Sequence, residues 1–299
     1  MSKVQLITDI GSDLSERNLN GKDICVLGQP LIDNKGNEYN FEEIDLLSMY
    51  ASMRSGTVYH TSQVTYLQYK EAFIKYARMG RDIVCTTLSS GLTNAIEAAR
   101  RAKDDMKEEF PDIKIAVIDT LSASKGIGGP VLEAYEMVEN GSSFEDIAQF
   151  LCYQTAHSDA LFSVSDLGNL YRSGRLSKTA YSVASTLNIK PLLAIMPQGS
   201  LAVIEKARGT KRARARVADI ITENCTEPGQ TLYCVHSDFE EGLHDVLDLL
   251  DLDQFSSIDI DLLGPIIGAH VGADMIGFVY INAHKVTAPP EHGKAFAAI

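Results

Sequence analysis

The sequence has few features of a disulfide-bonded or metal-binding protein. Its five cysteines are an odd number, and no two of them form a C-x-x-C pair. Several lie in apolar, strand-like runs, so we predict buried free thiols, no disulfide framework and no zinc site. The five are Cys25, Cys85, Cys152, Cys225 and Cys234.

Long apolar runs are also missing. No run reaches the roughly 18 residues that a membrane-spanning helix needs, and residues 1–13 lack the charge pattern of a signal peptide. The hydrophobic content of 45% and the charged content of 22% are those of an ordinary globular protein. We therefore predict a soluble, cytoplasmic protein without stable membrane insertion.

Positive charge is scarce overall and concentrated in one place. The formal net charge is −13, which argues against general nucleic-acid binding. Residues 166–216, called the basic segment below, nevertheless contain ten basic and two acidic residues, a local charge of +8. This concentration favours a docking surface for an acidic partner over an ordinary solvated face.

Two enzyme signatures are incomplete. The stretch Gly126-x-Gly128-Gly129 lacks the G-x-G-x-x-G spacing and follows its strand too distantly for a dinucleotide fold. Ser90 lies in no G-x-S-x-G elbow, and no acidic residue stands out as the third member of a triad with Ser90 and His270. A hydrolase that uses Ser90 and His270, and a nucleotide-binding regulator, remain the alternative functions.

Apolar strands and amphipathic helices alternate through the first half. This order predicts a mostly parallel sheet with helices on both faces. The predicted strands are 4–8, 24–31, 82–88 and 113–118, with a glycine-rich loop at 119–129. The predicted helices are 41–53, 64–79, 92–107, about 131–139, and 144–157.

The second half predicts an α/β domain with partly antiparallel pairing. Pro197-Gln198-Gly199-Ser200 is typical of a hairpin turn between strands at 191–196 and 201–205. The further predicted strands are 161–165, 231–235, 258–263 and 276–281, and the helices are 167–187, with a break, 211–222 and 241–250. We predict two α/β domains, 1–160 and 161–283, and a loose tail at 284–299.

The loop after the strand at 82–88 is the candidate binding loop. It lies at the carboxyl end of a strand, where open α/β sheets bind ligands. Ser89 and Ser90, with the free N–H groups of a helix start, favour a carboxyl-bearing group. The alternative role is helix capping, which is the more common one for serine and applies equally to Thr61 and Ser62. His270, between two glycines, has a purely structural alternative as well.

Eight short sequence fragments occur in order over about 4–281. The fragments are Thr8-Asp9…Asp13-Leu14, Thr61-Ser62-Gln63, Leu88-Ser89-Ser90-Gly91-Leu92, Asp119…Ser124…Gly126-x-Gly128, Ser173-Gly174-Arg175-Leu176-Ser177, Leu187-Asn188-Ile189-Lys190-Pro191, Lys206-Ala207-Arg208-Gly209 and Gly268-Ala269-His270-Val271-Gly272. Each fragment is weak alone, but the ordered set is specific: it resembles the DegV proteins, the fatty-acid-binding (FakB-type) subunits of bacterial fatty acid kinases.

The resemblance implies an acyl chain in an apolar tunnel, with its carboxyl group held at the domain junction. The implied carboxyl-binding residues are Thr61, Ser62, Ser89 or Ser90, and His270. The bound fatty acid would be the ligand, and no cofactor is expected.

The resemblance also implies a protein partner. A separate, ATP-dependent fatty acid kinase subunit would phosphorylate the bound carboxyl group for phospholipid synthesis, so this chain would be the carrier and not the catalyst. Arg175 and Arg208 fall on the family's basic motifs and are the expected residues of partner contact.

Overall fold

The computed structural model describes residues 4–41, 43–184 and 189–282; the predicted loose tail at 284–299 lies outside them. Its strands are β1 (Val4–Asp9), β2 (Ile24–Leu27), β3 (Leu31–Asp33), β4 (Glu38–Tyr39), β5 (Tyr59–Thr61), β6 (Asp82–Thr87), β7 (Ile115–Asp119), β8 (Ser158–Ser163), β9 (Ile189–Ile195), β10 (Leu201–Arg208), β11 (Thr231–His236), β12 (Ser257–Leu262) and β13 (Ile276–Ile281). Its helices are α1 (Glu16–Leu19), α2 (Leu46–Arg54), α3 (Tyr66–Ala77), α4 (Ala95–Glu109), α5 (Lys125–Glu139), α6 (Phe144–His157), α7 (Gly168–Arg172), α8 (Lys178–Ala184), α9 (Thr210–Asn224), α10 (Glu240–Leu247) and α11 (Pro265–Val271).

The first sheet has four parallel strands in the order β2-β1-β6-β7. Alternate residues of β1 enter two cores, because successive side chains of a strand point to opposite faces. Leu6 packs with α5 and α6, whereas Ile7 packs with α3 and α4. The predicted parallel sheet with helices on both faces is confirmed.

The second sheet has six strands in the order β10-β9-β8-β13-β11-β12. Only the β11–β12 pair is parallel among the strand pairs of this sheet in the described residues. One face is covered by α9 and α10, which bury Val217 and Leu243. The opposite face carries Phe162, Val235 and Met275 and packs with α7, α11 and Tyr50 of α2. The predicted mixed sheet, including the β9–β10 hairpin, is confirmed.

Two local predictions are wrong. The single strand predicted at 24–31 is divided into β2 and β3, and β3 belongs to a small antiparallel sheet ordered β4-β3-β5. The second half of the predicted loop at 119–129 is helical from Lys125. Glycines are present there because the helix packs closely: a Cβ on Gly128 would lie 2.4 Å from the Ser12 carbonyl oxygen, and one on Gly129 would lie 2.5 Å from the Tyr233 ring.

A buried ion cluster joins the two halves of the molecule. Lys125, at the start of α5, is fully buried, and its Nζ contacts Asp261 and lies 2.7 Å from Asp259 Oδ2 on β12. Arg17 contacts the same two carboxylates from the surface: its Nη2 lies 3.0 Å from Asp259 Oδ1 and 2.8 Å from Asp261 Oδ1. The chain itself passes between the halves at Ser158, where α6 ends and β8 begins.

The five cysteines are free thiols; Cys85 and Cys234 are buried, whereas Cys25, Cys152 and Cys225 are half-buried, so the predicted burial holds for two of the five. No helix within the described residues is long and apolar enough to cross a membrane.

Candidate binding site at the domain junction

A cavity of about 560 Å³ lies between the two halves. Asp9, Thr61 and Leu88 line it from the carboxyl ends of β1, β5 and β6, and the face of the six-stranded sheet that is not covered by α9 lines the other side. Apolar side chains supply most of the wall, among them Phe162, Leu170, Val235, Leu263, Met275 and Val279. Its volume is within the roughly 300–1,000 Å³ of ligand sites.

Polar residues from separate elements meet in the wall of this cavity. Among them are Thr61, Ser62, Ser90, Arg175 and His270. Thr61 ends β5, Ser90 follows β6, Arg175 follows α7, and His270 lies in the last turn of α11. The structure therefore brings four of the five carboxyl-binding candidates together, with Arg175 beside them.

A short hydrogen bond links two of these residues across 209 positions of sequence. Thr61 Oγ1 lies 2.7 Å from His270 Nε2. The pairing of β5 with β3 holds Thr61, and α11 packs against β5 and places His270 opposite it. Because α11 was not predicted, the sequence could not place this bond.

Burial keeps the His270 imidazole neutral. Burial, with a smaller contribution from the positive charge of Arg175, lowers the pKa of His270 from 6.5 to about 4. Nδ1 is buried and has no hydrogen-bond partner in the described part of the chain. A neutral imidazole has one donor and one acceptor nitrogen, so His270 can donate a hydrogen bond to a carboxyl group without being a cation.

Ser89 and Ser90 are adjacent but have different surroundings. Ser89 is fully buried; its Oγ donates to the Gly199 carbonyl oxygen at 2.8 Å, and Ser89 does not line the cavity. Ser90 is exposed at the cavity, and its backbone N–H donates to Asp119 Oδ1 at 3.1 Å. Ser89 therefore fixes the loop against the β9–β10 turn, and Ser90 is the serine that a ligand in the cavity can contact.

The capping alternative is wrong for all three hydroxyl residues of the site. The helix after Ser90 begins at Ala95, and Asn94 precedes it without a side-chain cap. The helix after Thr61 and Ser62 is capped by Thr65, whose Oγ1 accepts from the Gln68 N–H. The hydroxyls of Thr61, Ser62 and Ser90 are therefore not needed to cap helices.

Arg175 lies in the cavity wall. It is half-buried, its Nε donates to the Leu92 carbonyl oxygen at 3.3 Å, and its Nη1 donates to the Ser173 carbonyl oxygen. Two of its donors are therefore committed to the backbone, and its charge is placed close enough to affect His270.

Arg208 lies elsewhere, at the exposed end of the edge strand β10. Among the described residues it forms no ion pair, whereas Arg214 contacts Asp245, and Arg216 contacts Glu205 and Glu223. Arg208 thus places unpaired positive charge of the basic segment at this edge, away from the cavity, whereas Arg175 places its charge in the cavity wall.

Asp9 is a residue of the site that was not predicted from the sequence. Its carboxylate accepts from the Gly11 N–H at 2.9 Å and from the Leu88 N–H at 2.8 Å, so it connects the β1 loop to the start of the binding loop. Burial raises its pKa to about 6. The signal was present as the Thr8-Asp9 fragment at the end of β1, but only the β1–β6 pairing shows which loop it holds.

No group of three or more His, Cys, Asp or Glu side chains within residues 4–41, 43–184 and 189–282 is arranged to hold a metal ion.

The fold and the site define a two-domain α/β protein with an apolar cavity at the domain junction and a polar cluster in its wall. The chain belongs to the DegV family: the family's sequence profile, described as "Uncharacterised protein, DegV family", matches residues 3–283. A DegV domain-containing protein of Clostridium acetobutylicum is 31% identical over 287 residues, which are 95% of this chain and 100% of the relative. Another, from Clostridium perfringens, is 30% identical over 291 residues, 95% of this chain and 99% of the relative.

Solved structures agree with this assignment. One is a DegV family protein of Thermus thermophilus that is described as binding fatty acid. It has a TM-score of 0.83 and 26% sequence identity to this chain, and the match covers 94% of this chain and 100% of that protein. A DegV lipid-binding protein of Thermotoga maritima has a TM-score of 0.77 at 27% identity, over 93% and 98%. The predicted family and the predicted pair of α/β domains are confirmed.

Proposed function

We propose that this chain binds a long-chain fatty acid in the junction cavity and presents its carboxyl group to a separate ATP-dependent kinase subunit, which forms the acyl-phosphate. The observation that carries the proposal is the cavity itself, whose walls are mostly apolar and whose Thr61–His270 pair meets Ser62 and Ser90. The fatty-acid binding described for similar DegV proteins supports it.

Affinity in such a site comes from the acyl chain. Burying one methylene stabilises by about 0.8 kcal/mol, so a sixteen-carbon tail contributes on the order of 10 kcal/mol before the losses of translational and conformational freedom. The polar cluster is then free to orient the carboxyl group and need not supply the affinity.

The charges around the polar cluster would leave a bound carboxylate reactive toward a phosphate group. A bidentate arginine would neutralise both carboxylate oxygens. Here two donors of Arg175 are occupied by backbone carbonyl groups, and His270 is neutral. Hydrogen bonds from hydroxyls and a neutral imidazole hold the carboxylate and leave an oxygen able to attack a γ-phosphate.

The first test identifies the ligand. The protein is purified without added lipid, denatured and extracted with organic solvent, and the extract is analysed by mass spectrometry. We expect a stoichiometric long-chain fatty acid. A ligand that binds only the folded protein raises its melting temperature. An empty extract, together with no thermal stabilisation by added fatty acids of about fourteen to eighteen carbons, would contradict the proposal.

The second test addresses the polar cluster. Ser90→Ala and His270→Ala should each weaken acyl-phosphate formation in the presence of a kinase subunit, because each removes a donor to the carboxyl group. Ser55→Ala is the matched control, since Ser55 is exposed and its Oγ donates to the Ala51 carbonyl oxygen away from the cavity. Unchanged kinetics in both site variants would rule out this role.

The third test separates lipid binding from partner docking. Arg208→Glu reverses an unpaired charge on the β10 edge and should abolish phosphorylation while the lipid stays bound. Arg78→Glu, an equally exposed change outside the basic segment, should leave phosphorylation intact. If Arg208→Glu loses lipid and phosphorylation together, Arg208 is a structural residue.

The two alternative functions find less support. In a hydrolase, an acidic residue would orient His270 through Nδ1, but this atom has no partner among the described residues. Labelling of Ser90 by a fluorophosphonate probe would restore that alternative. The glycines of a nucleotide loop would be accessible to phosphate, whereas Gly126, Gly128 and Gly129 are buried in the packing of α5.

A further inference from the structure

β13 forms a floor of the cavity, and the cavity side of this strand contains a glycine. Met275, Gly277 and Val279 line the cavity at alternate positions. The residues between them, Ile276 and Phe278, and the following Tyr280 belong to the core under α9 and α10, although Phe278 is also part of the cavity lining. At about 3.3 Å per residue, the floor from Met275 to Val279 is roughly 13 Å long.

Gly277 has large neighbours on both sides. It pairs with Phe162 of β8 and with Val235 of β11, both of which also line the cavity. A Cβ at Gly277 would lie 2.7 Å from Met275 Cε, 3.1 Å from Val235 Cγ2 and 3.4 Å from Phe162 Cβ. The floor therefore has a depression at Gly277, and the Met275 methyl group occupies it.

The backbone does not explain this glycine. Gly277 is not among the residues with positive φ, so any side chain could adopt its conformation. A glycine inside a strand weakens the strand and typically marks a place where another group approaches closely. The glycine is explained by space: without a side chain, position 277 adds no volume on the cavity side of the strand.

We infer that Gly277 and Met275 determine how long an acyl chain the cavity accepts, an inference that rests on the proposed function. The chain passes over Gly277 toward Val279. Met275 is unbranched, with three rotatable bonds, and turns its methyl group aside when a long chain is bound. A side chain at position 277 removes the depression, forces Met275 into the path of the ligand and stops the chain there.

The test measures affinity along a series of saturated acids, from decanoic to octadecanoic. In the wild-type protein each added pair of methylenes should tighten binding roughly tenfold. In Gly277→Val this gain in affinity should stop at a shorter acid than octadecanoic acid. Octadecanoic acid should bind the variant roughly tenfold or more weakly than it binds the wild type, because the added side chain overpacks the site. Decanoic acid should bind the variant within about threefold of the wild type, which also shows that the variant is folded.

A compensating variant provides the control. Gly277→Ala adds one methyl group next to Met275, and Met275→Ala removes the side chain that this methyl displaces. The double variant Gly277→Ala/Met275→Ala should therefore recover the octadecanoic acid affinity that Gly277→Ala alone loses.

The outcomes separate the inference from the proposed function. If the wild-type protein binds none of the acids, fatty-acid binding itself is wrong. If it binds them but Gly277→Val changes all lengths equally, or none, the inference is overturned and the proposed function stands. Absence of recovery in the double variant would overturn it as well.

Discussion

His270 is the residue whose chemistry depends most on its position in the fold. In solution a histidine is half-protonated near pH 6.5, but burial in the α11–β5 contact lowers the pKa of His270 to about 4. Its Nε2 faces Thr61 Oγ1, and its Nδ1 is unpaired among the described residues. The fold thus maintains a neutral, half-satisfied imidazole next to the cavity.

This position gives a pH-dependent contribution to stability. Between about pH 6.5 and 4 the unfolded chain binds the His270 proton and the folded chain does not, so acidification favours unfolding by up to about 3 kcal/mol. We expect the stability of wild type relative to His270→Gln, measured by urea unfolding, to fall as the pH is lowered through this range. A difference that stays constant with pH would contradict the burial of a neutral His270.

Asp13 should behave with the opposite sign. Burial raises its pKa from 3.8 to about 7, so the folded protein holds a proton that the unfolded chain has lost. The stability of wild type relative to Asp13→Asn should therefore fall as the pH rises from about 4 through 7, by up to about 4 kcal/mol. Urea unfolding of both proteins over this range measures it. Parallel stability curves would show that Asp13 is ionised in the folded protein.

At the scale of elements, α5 shows how a sequence pattern can indicate the wrong structure. Its glycines are typical of a loop, but they permit a helix to approach Ser12 on one side and Tyr233 on the other. Pro130 is the sixth residue of the helix, so it removes an intrahelical hydrogen bond, and the packing of α5 outweighs this loss as well. Local propensity is outweighed by the packing that these missing side chains allow.

Gly128→Ala tests this packing. Alanine is favoured over glycine inside a helix by about 1 kcal/mol, yet its Cβ would lie 2.4 Å from a backbone oxygen that cannot rotate away. We expect a net loss of stability of about 1–3 kcal/mol in urea unfolding. Glu136→Ala, on the exposed side of the same helix, should change stability by less than about 0.5 kcal/mol. A stabilised Gly128→Ala would mean that α5 is not packed so closely.

The elements that were predicted from the sequence have a clear period. β1, β6 and β13 are apolar runs bounded by polar loops, and α3, α4 and α6 carry apolar residues at helical spacing. The elements that were missed, α1, β3 to β5 and α11, are two to seven residues long. Such short segments are stable only in contact with the rest of the chain, so their sequence carries little signal.

At the scale of the molecule, the ion cluster at β12 holds the two halves around the cavity. Lys125→Met should cost about 3–5 kcal/mol, because it leaves Asp259 and Asp261 without their buried cation. Arg17→Met is the matched control: Arg17 contacts the same carboxylates but is 63% exposed, and an exposed pair contributes about 0–1 kcal/mol. Chemical unfolding of the two variants compares them. Equal losses would show that burial of Lys125 does not matter.

The sequence by itself determined the two α/β halves, the family and the polar residues proposed as the site, because periodicity and short fragments are local properties. The tertiary structure decided which of those residues meet. It placed Ser90 at the cavity and Ser89 behind it, paired Thr61 with His270 across 209 positions, and brought Arg175 into the wall while leaving Arg208 on an edge. These outcomes depend on strand order and on close approach between distant backbones, and no local pattern of side chains encodes either of them.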